Sequence, residues 1–569
     1  MRHPIHLALI TAGALGALLL GSCATPFEPD RTARAPALDG FGTLPMKITT
    51  RVPAAQHWFT QGMLQTYAFN DQEAARAFKA ALAQDPACAM CAWGVAHALG
   101  PNINAVDRGD LSEARRYTAL AQRHLSGVTP GERALIEAMA ARYADPDTKP
   151  AVQDVPALAS VCGGGSAKKA DPLDIVYVAR MRALVEAHPD DPDLTTLYAE
   201  AVMIATRGDW WNRQTGAPAP EIDTMTLRLE QALAKALNHT GLNHYLIHAV
   251  DMSPAPQRAS AAADRLGMLA PEAPHLVHMP AHIYVRTARF ADAAAVNQSA
   301  LAAQQRQNEK QKAQGFATSD NWDFHNLHFL WYAALMQGRG GVAMAQAQQL
   351  AERAAKGKSA TAEFLRSLPL LTLVRLERWD EVLRQPAVAG EAGVATPIGH
   401  YARGVALART GQLPAAREAA VALQTALALP ALASKTVMGD DPASTVLEVL
   451  GARLQAEVAA ASGDAPGAQA TLQAAVTREA ALEAVEPPLL GAGSRLAQGS
   501  LMLRSRRWAD AEAAYRSDLA DQPGSGWALR GLQQALARQG KTEEAGRVQR
   551  ELNQAWSSAD AALRTATDL

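Results

Sequence analysis

The spacing of a few small and aromatic residues constrains this chain most. Trp58, Gly62, Ala74, Phe78, Ala81 and Pro86 follow one another as two helices packed face to face would require. Small residues let the backbones approach, aromatics fill the remaining gap, and proline ends the second helix. The pattern returns as Gly499, Ala511, Tyr515 and Pro523, then more weakly as Gly531 and Ala545. Gly404 and Ala416 repeat the offset that separates Gly62 from Ala74. A unit that recurs in this way buries its apolar face only by stacking on its neighbours, which predicts an all-α solenoid of antiparallel helix pairs. Composition agrees: aromatics are 5% of the chain, alanine is abundant and runs of β-branched residues are few.

These positions resemble the tetratricopeptide repeat (TPR). A wider resemblance covers most of residues 55–405. Its runs are Cys88-Ala-Met-Cys91-Ala-Trp93-Gly94, Gly100-Pro-Asn-Ile-Asn104, His244-Tyr-Leu-Ile-His248-Ala, His275-Leu-Val-His278-Met-Pro-Ala-His282-Ile-Tyr and His325-Asn-Leu-His328-Phe-Leu. Together they resemble a family of bacterial tetratricopeptide-like proteins. That resemblance implies a helical repeat fold and a shared central site, and it names no reaction. Leu242-Asn243 departs from the pattern, where small residues are expected before His244.

The N-terminus reads as a targeting segment. Arg2 precedes an apolar stretch, Leu7 to Leu20, that is too short to span a bilayer comfortably. Leu20-Gly21-Ser22-Cys23 resembles the bacterial lipobox. It implies removal of residues 1–22, lipid on Cys23 and a membrane partner through that lipid. Ala24 rather than Asp at the next position implies an outer-membrane lipoprotein facing the periplasm. Residues 23–52, rich in Pro, Gly and Thr and lacking a helical period, are expected to be a flexible tether. N-terminal repeats then span 53–144, a Pro/Gly-rich loop 145–172, central histidine-rich repeats 173–340 and further repeats 341–569. A second interruption, Trp210 to Pro220, is expected to pack as a loop against the solenoid. A net charge of −2 gives no reason to invoke nucleic acid.

The chemistry lies in the histidines. Eight of the fifteen fall between His239 and His328. His244, His248 and Asp251 are spaced i, i+4, i+7 and share one helix face. Two imidazoles one turn apart can hold one metal, with the carboxylate as third ligand or as orienter of a ligand. Tyr245, Leu246 and Ile247 stand where a zinc protease needs its glutamate, which excludes that activity. In the second set, His275, His278 and His282, Pro280 is expected to start a new helix. His275 and His278 then sit in a preceding turn, and His282 near a helix N-terminus whose dipole disfavours its protonation. Asp323, His325 and His328 form the third set. Stacking of successive repeats predicts that the three sets face one groove, where they could bind copper, zinc or iron. The bland alternative is a set of histidines satisfied singly within the core or groove.

Cys88 and Cys91 open a helix after Pro86, as a disulfide, a buried pair or a thiol–metal site; Cys162 is expected to be the free thiol. Ala92 excludes attachment of a c-type haem. Asn102 and Asn104 either cap a turn or orient a ligand. No phosphate-binding loop, nucleophile elbow or dinucleotide fingerprint is present. Three functions therefore stand open: a scaffold for a protein or peptide partner in the solenoid groove, a metal-binding or delivery protein, and a metal-dependent enzyme.

Overall fold

The computed structural model describes residues 27–565 apart from 107–108, 145–169, 213–214, 320–321, 389, 392, 439–440, 481, 483–485 and 492. Cys23, Cys162 and most of the loop at 145–172 lie outside the described residues.

The chain is a TPR-like α-solenoid. Helices Pro53–Tyr67 and Asp71–Gln84 make the first pair, and each later helix packs mainly on its neighbours in sequence. The only strands among the described residues are two-residue segments, Thr436–Val437 and Asp441–Pro442. The repeat spacing is explained by an interlock. A Cβ on Gly62 would lie 2.6 Å from the Phe78 ring, and one on Gly94, in the following helix, 2.4 Å from the same ring. Phe78 thus fills a slot that both glycines leave open. Tyr515 does the same between Gly499 and Gly531, where the corresponding separations are 2.6 and 2.0 Å.

The solenoid closes on itself. Trp527 Nε1 donates to Leu335 O at 2.8 Å and Trp556 Nε1 to Met336 O at 3.1 Å, tying the C-terminal helices to Asp323–Met336. At the other end, the turn after Pro53–Tyr67 reaches the central helix Thr240–Asp251. The central repeats are therefore covered from both ends of the chain.

The expectation of a flexible tether needs correction for residues 27–52. This segment has no helix, as expected, but Leu38, Phe41 and Ile48 are buried in the main core. The Gln61 side chain bonds Leu38 N and Pro36 O, and Glu132 accepts from Thr49 N and its hydroxyl. Three apolar side chains and these side-chain bonds hold an irregular segment as a strap. The Trp210 loop packs as expected, with Trp211 Nε1 donating to Ala249 O at 2.7 Å. No helix among the described residues is long and apolar enough to cross a membrane.

Candidate metal centre

Helix Thr240–Asp251 carries no charge before Asp251, and every one of its residues is buried. A helix buried all round has to point its polar side chains at partners. His239 caps it: Nδ1 accepts from Leu242 N at 3.1 Å, and Nε2 meets Asp193 at 2.9 Å. His239 is thus occupied structurally. His244 and His248, one turn apart, place their Nε2 atoms 3.0 Å from each other. The short helix Pro274–His278 brings His275 Nε2 to 3.2 Å from His244 Nε2.

The second trio forms beside the first. Pro280 does begin a new helix, Pro280–Arg286, while His275 and His278 lie on a short helix of their own rather than in a turn. His278 Nε2 lies 3.0 Å from His282 Nε2, and His325 joins them from helix Asp323–Met336. Within each trio, His244/His248/His275 and His278/His282/His325, one ring nitrogen per residue lies within 4.8 Å of the others. Ligands on a tetrahedral ion with bonds of about 2.0–2.1 Å are about 3.3 Å apart, close to the shorter separations here. The trios adjoin: ring centroids of His248 and His282 are 6.2 Å apart, as are those of His275 and His278.

Hydrogen bonds behind the rings fix which nitrogen faces inward. His244 Nδ1 donates to Tyr67 O at 2.7 Å. Asn297 Nδ2 donates to Ala293 O, so its Oδ1 accepts from His278 Nδ1, at 2.7 Å. His282 Nδ1 faces Asp251 Oδ2 at 2.9 Å and the Glu486 carboxylate. With Nδ1 protonated, Nε2 of the neutral His244 and His278 is left as a lone pair. His278 and His282 face each other through Nε2 at 3.0 Å, a pair that one cation joins, either the proton that a charged His282 donates or a metal ion in its place.

Burial pushes His244 and His325 down to about 3 and His248, His275 and His278 well below the ordinary range, so these rings are neutral. His282 departs from the sequence expectation. Burial and a helix N-terminus oppose its charge, but Glu486 and Asp251 outweigh them and raise it to about 10. Burial, with Glu486 adding to it, pushes Asp251 to about 7, while bonds from Asp251, His282 and Arg286 hold Glu486 low against its burial. Asp251, His282 and Glu486 also converge as a trio. Arg286 Nη2 sits 2.7 Å from Glu486, however, and a guanidinium there repels a further cation. Asp251 therefore orients His282 rather than serving His244 and His248 as third ligand.

Aromatic rings wall the centre. Phe69, at φ 51°, packs on His244, His248 and His275 with centroids 4.5–5.5 Å away. Phe329 packs on His278, His282 and His325 at 4.7–5.0 Å, and Trp322 stacks on His275 at 4.0 Å.

Two expected members do not join. His328 turns away from both trios, stacks on Trp331 at 5.3 Å and leaves both ring nitrogens without a hydrogen bond. Asp323 pairs with Arg353 at 2.8 Å. His325 and His328 are three residues apart, but the His328 ring stacks on Phe324 and Trp331 rather than on the histidines. Asn102 closes its own turn, its Oδ1 accepting from Asn104 N and Ala105 N while its amide bonds Asp71. Cys88 and Cys91 form a disulfide within the core. Sequence reasoning did not find Tyr67, Asn297, Arg286 or Glu486. Phe329 had a signal, since it directly follows His328 in the third motif.

No family model matches the sequence, and no curated protein matches it. Solved structures do. The crystal structure of the P58(IPK) TPR domain is 9% identical over 86% of this chain and 99% of that one, with a TM-score of 0.21. The APC/C hetero-tetramer Cut9-Hcn1 is 12% identical, over 90% and 95%, with a TM-score of 0.25. Naa15/Naa10 bound to HypK-THB is 13% identical, over 90% and 73%, with a TM-score of 0.18. Superpositions this loose carry no argument about the site or its use; the fold assignment rests on the helix pairs and their interlocks.

Proposed function

We propose that this protein binds transition metal, one ion in each histidine trio, inside a TPR-like solenoid. The observation that carries the reading is the facing pair of His278 and His282. Hydrogen bonds at Nδ1 turn the two Nε2 atoms toward each other 3.0 Å apart, with a third imidazole beside them. A proton satisfies two nitrogens, whereas a metal ion satisfies three. Imidazole donors suit copper, zinc and iron, and three protein ligands leave a coordination position open for turnover. We place the protein at the cell envelope, held by lipid on Cys23 and facing the periplasm, on the strength of Leu20-Gly21-Ser22-Cys23.

The test is metal content of the full mature chain after incubation with copper or zinc and desalting. Two equivalents are expected. His248→Ala and His278→Ala should each lose about one, with unchanged far-ultraviolet circular dichroism, because solenoid stability is spread over many interfaces. A wild-type chain that retains no metal refutes the reading.

A scaffold role is favoured by one separate feature. The C-terminal repeats form a cleft of about 110 Å³ whose lining includes Arg375, Arg409, Arg453, Arg504, Trp379 and Tyr401. Glu377 and Glu457 line it too and pair with Arg409 and Arg504, while Arg453 pairs with Glu479, so the cleft suits a polar, partly apolar peptide side chain without a demand for acid.

A further inference from the structure

We propose that the two trios hold a pair of monovalent copper ions that binds one dioxygen molecule between them. The inference rests on the metal-binding reading above and specifies the metal, its valence and the ligand.

Charge decides the metal. All six donors are imidazoles, five of them buried, and none brings a negative charge. Two divalent ions would place four positive charges in this interior. The nearest carboxylates, Asp251 and Glu486, lie behind His282 and share Arg286, so they offset at most one. Uncompensated charge in a protein interior costs several kcal/mol per ion. Two monovalent ions halve that charge. Among metals that imidazole favours, copper has a stable monovalent state, and three nitrogen donors suffice for it.

The same argument names the ligand. Oxidation of both ions to the divalent state adds two positive charges, which one dianion formed between them cancels. Dioxygen does so. Each copper gives up one electron, the oxygen double bond becomes a single bond, and the resulting peroxide dianion forms one bond to each divalent copper. No proton is taken up and the net charge of the centre is unchanged. The trios are arranged for one bridging ligand, with opposing rings 6.2 Å apart at two places. Phe69, Phe329 and Trp322 pack directly on the histidines and keep water from protonating and releasing the bound peroxide.

The experiment uses the full mature chain, loaded without oxygen with two equivalents of monovalent copper and then titrated with dioxygen. The expected result is uptake of one dioxygen per two coppers, a new near-ultraviolet charge-transfer band, and no electron paramagnetic resonance signal, because the two divalent spins pair through the bridge. His248→Ala and His282→Ala should each keep about one copper and take up no dioxygen. Two bound coppers with no uptake, uptake in another ratio, or the resonance of isolated divalent copper overturns the inference and leaves metal binding intact. So does a chain that takes up zinc and refuses copper. A chain that binds neither metal overturns both readings.

Discussion

Replacing Asn297 with leucine isolates the contribution of a group that never touches the metal. Asn297 is buried, its amide held by Ala293 O, and its Oδ1 is the hydrogen-bond acceptor that the structure gives His278 Nδ1. Leucine has a similar volume, so little cavity forms. His278 loses the bond that keeps Nδ1 protonated and Nε2 bare. Stranding a buried donor costs about 1–3 kcal/mol, and loss of such a partner behind a ligand typically lowers metal affinity about 10–100-fold. Those figures agree, since a factor of ten is about 1.4 kcal/mol. The His278/His282/His325 trio should therefore weaken by about 10–100-fold. The His244/His248/His275 trio, anchored instead by Tyr67 O, should hold its ion at wild-type affinity. Asn297→Asp, which keeps the acceptor and adds charge, should bind at least as tightly as wild type. Chelator competition on the full chain reads both sites. Equal weakening of both trios, or unchanged affinity in the leucine variant, refutes the assignment of Nε2 as the inward nitrogen.

Three further outcomes follow from the same structure. Gly531→Val should lower the thermal midpoint, because its Cβ would stand 2.0 Å from Tyr515 and overpacking costs about 1–3 kcal/mol; an unchanged midpoint contradicts the interlock. His328 is held neutral by burial with its pKa lowered to about 3, so the unfolded chain binds the extra proton between about 3 and its ordinary 6.5. Stability of the metal-free protein should thus fall as pH drops through that window, and His328→Leu should lose less on the same descent; parallel pH curves rule this out. Intact-mass measurement of the mature protein should show residues 1–22 absent and Cys23 acylated, and an unmodified Cys23 removes the proposed anchor.

What could be read from the sequence is what depends on local offsets. Gly62 and Phe78, or Gly499 and Tyr515, sit sixteen residues apart in each case, and that fixed separation survives any curvature of the solenoid. His244 and His248 share a face for the same reason. That the three histidine sets converge was legible from the stacking of repeats, but which histidines share a trio was not, since that depends on how helices cross. His275 leaves its sequence neighbours to join His244, and His328 turns away from His325 toward Trp331. The groups behind the rings come from still farther away. Tyr67 reaches His244 across 177 residues, and Glu486 reaches His282 across 204, from a stretch without any motif. The strap at 27–52 was misread because proline, glycine and threonine signalled irregular backbone correctly, while Leu38, Phe41 and Ile48 decided where that backbone lies.

Anomalous diffraction from crystals of the full chain grown with copper tests the central claim most directly. The account predicts two peaks per chain, one bounded by Nε2 of His244, His248 and His275 and the other by ring nitrogens of His278, His282 and His325. Copper found only on surface residues, with no density among these six imidazoles, would contradict it.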